Sequence, residues 1–153
     1  MSRRAQIQLT DDEVLAFLDE QRVVTCATLG RDGWPHLMPL WYTVHDGTIW
    51  AWTYAKSQKV VNLRRDPRCT LQVEAGDRYD QLRGLMLKTE VRIHEDPDVV
   101  VALGIELAER YGGGTLPDAA QAAIHKQAAK RVALEFLECG RASWDHAKLG
   151  GGY

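Results

Sequence analysis

The sequence lacks the long apolar runs and the charge excess that mark two large classes of protein. No run approaches the ~20 apolar residues that span a bilayer, and residues 1–6 lead into polar residues rather than into an apolar secretory segment. Lys and Arg number 19 against 21 Asp and Glu, for a net charge of -2, whereas nucleic-acid-binding domains are usually basic. We therefore expect a cytoplasmic protein that binds neither a membrane nor nucleic acid.

Cysteines, histidines and catalytic motifs are also sparse. The three cysteines, Cys26, Cys69 and Cys139, are far apart and form no C-x-x-C motif, so we expect small core residues in strands rather than a disulfide framework. The five histidines do not pair at metal-ligand spacings, and the G-x-S-x-G, H-E-x-x-H and Walker motifs are absent. We expect no metal site. Tyr42, Tyr54, Tyr79 and His36 are possible proton donors, but no side chain is identified as catalytic.

The chain does contain enough apolar sequence for a core. Its 153 residues are 45 % hydrophobic, and at this length folding buries about 68–70 % of the unfolded surface, which is sufficient without disulfides. No internal repeat, linker or low-complexity tract divides the sequence. We expect a single domain over residues 1–153.

The first half predicts a helix followed by a meander of three strands. Thr10 and Glu13 have the spacing of a capping box, and an apolar stripe continues this helix to about Gln21. Runs rich in β-branched and aromatic residues predict strands over 23–29, 35–45 and 48–53. Asp32-Gly33 and Asp46-Gly47 are typical hairpin turns, so we expect the three strands to pair consecutively.

The second half predicts the remaining strands with helices between them. Strands are expected over 69–74, 81–94, 131–138 and 142–146, and helices over 57–65, from Asp96 to the glycines at 112–114, and over 119–129. Gly84 is a candidate for a β-bulge. About six strands with short helices between them favour a small barrel, the architecture that removes exposed strand edges.

A basic segment stands out at the start of the helix predicted over 57–65. Residues 56–68 contain five cations and one anion, a net charge of +4 in a molecule of net charge -2. The free N–H groups and the dipole of a helix N-terminus favour an anion. Ser57 is placed to cap this helix, and Lys56 and Lys59 are placed to bind a phosphate as point charges. A solvated helix face would show the same charges.

Tryptophans are concentrated on the strands that precede this helix. Trp34, Trp41, Trp50 and Trp52 lie within 19 residues, which is more than packing requires. Trp41 and Trp52 are placed to flank a flat ring, beside the apolar backbone of residues 38–40. A phosphate site next to a planar apolar wall predicts a flavin-like ligand.

These segments resemble a known family. The run Trp52-Thr53-Tyr54-Ala55-Lys56-Ser57-Gln58-Lys59, followed by the basic residues up to Arg68, is similar to the pyridoxamine 5′-phosphate oxidase-like, FMN-binding split β-barrel superfamily. It resembles in particular the actinobacterial branch that uses the deazaflavin coenzyme F420. The resemblance implies a mainly β fold with flanking helices, a six-stranded antiparallel split β-barrel. It also implies a homodimer with cofactor clefts at the subunit interface.

The resemblance also assigns roles to residues. It implies phosphate contacts at Lys56, Ser57 and Lys59. The strand that flanks the ring corresponds to Met38, Pro39, Leu40 and Trp41, and the aromatic-Thr pair that faces the cofactor corresponds to Trp52 and Thr53. Asn62 and Arg65 match the helix positions of the family more loosely. The flavin oxidases of the superfamily usually have Arg where this chain has Gln58, and they end in an Arg-rich substrate-binding tail that this chain lacks. Oxidation of vitamin B6 is therefore not expected.

The implied reaction is hydride transfer between F420 and an electron-poor small organic molecule, for which the cofactor supplies the chemistry and the protein the alignment. Two alternatives stay open: an FMN-dependent oxidase or reductase of the same superfamily, and a non-catalytic flavin-binding or deazaflavin-binding protein. F420 carries a polyanionic phospholactyl–polyglutamate tail, and Arg64, Arg65 and Arg68 are candidates for the basic groove that it needs.

Overall fold

The structure, a computed structural model, describes residues 2–150. The helices are α1 Arg3–Gln6, α2 Asp11–Glu20, α3 Gln58–Arg65, α4 Pro97–Gly112 and α5 Asp118–Ala128. The strands are β1 Val24–Leu29, β2 Pro35–Leu40, β3 Thr43–His45, β4 Thr48–Tyr54, β5 Arg68–Ala75, β6 Arg83–His94 and β7 Arg131–Asp145. Two 3₁₀ turns, Tyr79–Gln81 and His146–Leu149, lie near the end of β7. The predicted capping box is confirmed, since Thr10 Oγ1 accepts from the Glu13 N–H and Glu13 accepts from the Thr10 N–H.

All seven strands belong to one antiparallel sheet with the order β2-β1-β5-β6-β7-β4-β3. The two outermost strands are consecutive in the chain, because only Trp41 and Tyr42 separate β2 from β3. Three residue steps span at most about 11 Å, so the sheet must curl until its edges approach each other. The edges do not pair with each other. The fold is therefore a split barrel with flanking helices, as the resemblance implies, but with seven strands instead of six.

The two hairpins predicted in the first half are confirmed, because β1 pairs with β2 and β3 pairs with β4, but the continuous meander is wrong. The strand expected over 35–45 breaks at Trp41–Tyr42, and its two parts lie at opposite edges of the sheet. The break has a tertiary cause: the Tyr42 N–H donates to Tyr111 Oη of α4 at 2.8 Å, and the buried Tyr42 hydroxyl donates to the Leu18 carbonyl of α2 at 2.7 Å. These bonds turn the chain away from β1 and into the core.

The last two predicted strands form one continuous strand, β7, and this strand contains a β-bulge. Lys88 pairs with Gly140 and Thr89 with Glu138, so Cys139 is the extra residue. The bulge predicted at Gly84 is wrong. A glycine is needed there for close packing, because a Cβ at this position would lie 2.1 Å from the Trp144 ring.

Two apolar clusters form on the two sides of the sheet. One fills the barrel and includes Phe17, Tyr42 and Leu71. The other lies between α4, α5 and the outer face of the barrel, where Trp50 and Trp52 pack against it. The burial pattern of β4 alternates accordingly: Ile49, Ala51 and Thr53 are buried, whereas the tryptophans between them are half-buried. The indole of Trp52 therefore faces away from the barrel interior.

The cysteine prediction is confirmed for two residues and wrong for the third. Cys26 and Cys69 are buried on neighbouring strands with their Sγ atoms 3.3 Å apart, whereas Cys139 is exposed at the bulge. Their proximity could not be read from a sequence separation of 43 residues. Within residues 2–150, no helix has the length and hydropathy needed to cross a membrane.

Candidate functional site

The opening of the barrel holds a cleft of about 520 Å³. It forms because β3 pairs only with Thr48–Trp50, which leaves residues 51–54 of β4 without a strand on that side. Pro39–Trp41 line one wall and Trp52–Tyr54 line another, with α4 and α5 behind them. The volume is in the range that binds small organic ligands. The structure thus brings together Pro39, Leu40, Trp41, Trp52 and Thr53 from the predicted site, while Met38 is exposed on β2 and does not line the cleft.

Trp41 is fixed as a flat surface at the mouth of the cleft. One face of its indole stacks on Tyr111, with ring centroids 4.3 Å apart and an interplanar angle of 7°. The Tyr111 hydroxyl donates to the backbone carbonyl of Arg22 at 2.6 Å and lies 2.9 Å from that of Tyr42, so the ring beneath Trp41 is held in place. Trp41 is nevertheless 57 % exposed. Its free area is available to stack on a planar ligand.

Trp52 contacts both α4 and Arg131. It packs so closely on Gly104 of α4 that a Cβ there would lie 2.4 Å from the indole. The guanidinium carbon of Arg131 lies 4.4 Å from its ring centroid.

Arg131, which the sequence analysis missed, lies between two aromatic rings. Its guanidinium carbon is 4.2 Å from the Tyr54 ring centroid as well as close to Trp52. Its Nε is buried and has no hydrogen-bond partner, and no acidic side chain within residues 2–150 pairs with it. Arg131 lies beside the Tyr54 ring because the two residues are paired in the register of β7 with β4. No local sequence pattern around Arg131 indicates that it pairs with Tyr54.

Lys59 is a buried cation and so does not belong to a solvated helix face. Its side chain is 8 % exposed, and Nζ donates to Thr53 Oγ1 at 3.1 Å. Burial lowers the pKa of Lys59, and the charge of Arg131 lowers it further. Among the described residues it has no carboxylate partner. A buried cation without an acidic partner favours binding of an anion.

Ser57 occupies the N-cap position of α3, but its hydroxyl does not cap the helix as predicted. Its Oγ is buried and has no hydrogen-bond partner, while its backbone carbonyl accepts from Val60 and Val61. A buried unpaired hydroxyl at a helix N-terminus is a donor available to an anion. Lys56, one residue earlier, is exposed.

Asn62 and Arg65 attach α3 to β1 in the structure. Asn62 is fully buried, its amide donates to Thr28 Oγ1 at 3.0 Å, and its carbonyl oxygen accepts from Gln58 at 2.9 Å. Arg65 donates to the Leu29 carbonyl. Neither residue lines the cleft, so their roles in cofactor binding stay predictions.

The arginines expected to form a basic groove are mostly neutralised. Arg64 pairs with Glu95 at 2.6 Å, and Arg68 pairs with Asp66 at 2.6 Å. The guanidinium of Arg68 lowers the pKa of Asp66 to about 2, so this pair stays charged above that pH. Of the three arginines, only Arg65 has no acidic partner among the described residues, and it donates to the Leu29 carbonyl.

Tyr42 is unsuited to proton donation. Burial raises the pKa of its hydroxyl, which already donates to the Leu18 carbonyl. Among the other candidate donors, His36 lies in a separate cavity with Gln58 and Asn62, and its Nδ1 is buried and has no hydrogen-bond partner.

The fold and cleft define a split-barrel protein whose opening suits a planar ligand with an anionic group. The sequence profile of the family described as pyridoxamine 5′-phosphate oxidase matches residues 10–137. The chain belongs to this family.

Several known proteins are similar to this chain. The F420H2-dependent biliverdin reductase of Mycobacterium tuberculosis is 31 % identical over 102 residues, which cover 65 % of this chain and 71 % of the relative. A conserved hypothetical protein from Mycobacterium tuberculosis with a known crystal structure is 41 % identical to this chain. The two structures superpose with a TM-score of 0.91, and the match covers 100 % of this chain and 95 % of the other chain. A solved structure named F420 reductase is 23 % identical and shares the fold, with a TM-score of 0.65. The match covers 83 % of this chain and 94 % of the other chain.

Proposed function

We propose that the chain binds coenzyme F420 and transfers a hydride between it and an electron-poor small organic molecule. The observation that carries the proposal is the pair of buried donors without an anionic partner at the start of α3, Ser57 Oγ and Lys59 Nζ, next to Thr53 of the aromatic-walled opening of the barrel. Buried polar groups without partners cost free energy in the empty protein, and an anionic ligand removes that cost. The 31 % identical relative, by its name, uses reduced F420.

The residues present fit a deazaflavin. Ser57 and Lys59 would hold a phosphate at the N-terminus of α3, with Lys56 at the surface beside them. The apolar stretch Pro39–Trp41, which includes the exposed indole of Trp41, would hold the ring. When bound, the deazaflavin supplies the hydride. The protein residues orient the ring and exclude water from its reacting face.

The first test compares the affinities for two cofactors. We expect F420 to bind with a dissociation constant in the micromolar range and FMN to bind clearly more weakly. The reason is that Gln58 replaces a phosphate-binding arginine of the flavin oxidases, and its amide already donates to Asn62. Fluorescence titration of the purified protein with each cofactor measures both constants.

The alternatives give different results in the same experiment. Tighter binding of FMN, with a yellow purified protein, would support the FMN-dependent alternative and contradict the proposal. F420 binding without hydride transfer to any electron-poor acceptor would support a non-catalytic binding protein. A cytoplasmic location stays a prediction.

We also propose a homodimer in which a second copy covers β2 and completes the cleft. Leu37 and Met38 of β2 are 57 % and 42 % exposed, and Trp34 beside them is 75 % exposed. An exposed apolar edge strand invites association. Met38 and Trp41, implied in the ring wall, belong to this exposed edge, so a partner there would also enclose the ring.

Light scattering at low micromolar concentration should give about twice the 17.2 kDa chain mass. Leu37→Glu should shift the mass toward the monomer, because a charge at the centre of an apolar interface must be desolvated. Leu15→Glu is the matched control, since Leu15 is 45 % exposed on α2, and it should remain dimeric. A monomeric wild-type protein would contradict the shared cleft.

A further inference from the structure

Arg131 is the one charged residue among the described residues that line the cleft. Around it the lining is mostly apolar, with Leu40, Leu107 and Ile124 from three different elements. A polyanionic ligand needs several cations along its path. A single cation in apolar surroundings is suited to one anionic group on an apolar body.

The surroundings of Arg131 leave only part of its guanidinium available. Trp52 and Tyr54 both lie within 4.4 Å of its carbon, which orients the group and limits its movement. Nε is buried without a partner, and no hydrogen bond or ion pair joins the guanidinium to another described residue. A planar fork of N–H donors matches a carboxylate in two parallel bonds.

Arg131 and Lys59 belong to opposite faces of β4. Side chains alternate along a strand, so Thr53, which accepts from Lys59, points into the barrel, whereas Trp52 and Tyr54 point to the outer face. The phosphate contact proposed at Lys59 and the cation at Arg131 are therefore two separate anion positions.

We propose that Arg131 binds a carboxylate of the electron acceptor, so that acceptors are planar or apolar molecules bearing a carboxylate group. This rests on the proposed function, because it assigns the inner anion position to the cofactor and the outer one to the acceptor. Trp52 and Tyr54 hold Arg131 in position, and the apolar lining receives the body of the acceptor.

The test uses 2-naphthoate and its uncharged counterpart 2-naphthamide as probes, titrated by calorimetry into the F420-loaded protein and into the protein alone. In the wild type, naphthoate should bind about tenfold more tightly than the amide, because only naphthoate forms a charge-assisted pair. Arg131→Gln should reduce this preference to less than about twofold. Arg131→Lys should keep part of it, and Lys126→Gln, which removes a nearby exposed charge outside the cleft lining, should keep all of it.

Each outcome decides the proposal. Equal affinities in the wild type, or a preference that survives in Arg131→Gln, would overturn it. An F420 dissociation constant raised about tenfold or more in Arg131→Gln would also overturn it, because Arg131 would then bind the cofactor. If Arg131→Gln does not fold, the partial preference of Arg131→Lys decides. Absence of F420 binding to the wild type, with the naphthoate preference intact, would contradict the proposed function while supporting the carboxylate subsite.

Discussion

Replacing Lys59 with Met is expected to raise the F420 dissociation constant about 10- to 150-fold. The substitution removes a charge-assisted hydrogen bond worth roughly 1.5–3 kcal/mol, and ~1.4 kcal/mol is tenfold in affinity. Methionine keeps most of the length of lysine, so the packing around Thr53 changes little. Fluorescence titration measures the constant, and Lys126→Met is the control because Lys126 is exposed on α5.

The burial of Lys59 adds an effect on stability and on pH dependence. Because burial lowers its pKa in the folded protein, the charged form costs stability at neutral pH, and this cost disappears as the pH rises toward the unfolded value. At pH 7, the unfolding temperature of the ligand-free Lys59→Met protein should therefore be equal to that of the wild type or higher than it. Wild-type affinity for F420 should fall as the pH rises through the lowered pKa, and this fall should be absent in the variant. A variant that binds within twofold of the wild type would show that Lys59 is not a phosphate contact.

Gly104→Ala should destabilise the protein by about 1–3 kcal/mol, the usual cost of overpacking. The added Cβ would lie 2.4 Å from the indole of Trp52 and 2.9 Å from Ile124 Cγ2. The indole has little space to yield, because it is also in contact with Arg131. The clash outweighs the gain in helix propensity, which is at most about 1 kcal/mol for glycine to alanine. Urea unfolding of the ligand-free protein measures the change.

Gly112→Ala, at the end of the same helix, is the matched control. Nothing lies within 4 Å of a Cβ at this position, so the same substitution should leave stability unchanged or raise it slightly. The F420 dissociation constant should rise in Gly104→Ala, since the displaced indole belongs to the cleft wall, and should not change in Gly112→Ala. Equal free energies of unfolding for the two variants would mean that the Trp52 indole can move away from the added Cβ of Gly104→Ala without loss of stability.

The features that could be predicted from the sequence depend on neighbours along the chain. The capping box at Thr10 joins residues three apart, and the helix following Ser57 begins where the charge pattern places it. The resemblance to the family, which rests on short ordered runs, implied the split barrel and five residues that share the cleft: Pro39, Leu40, Trp41, Trp52 and Thr53.

The features that could not be predicted depend on partners far away in sequence. The break at Trp41–Tyr42 depends on Tyr111 and Leu18. The pairing of Arg64 with Glu95, 31 residues later in the chain, removes a cation from the expected groove.

The sequence by itself determined the local elements, the family and the position of a basic helix start, because capping, turn chemistry and apolar periodicity act over a few residues. The tertiary structure alone decided that Lys59 is buried, that Ser57 Oγ has no partner and that Arg131 lies between Trp52 and Tyr54. The reason is the strand register: Arg131 meets Tyr54 only because β7 pairs with β4 across 77 residues, and no local pattern specifies that pairing.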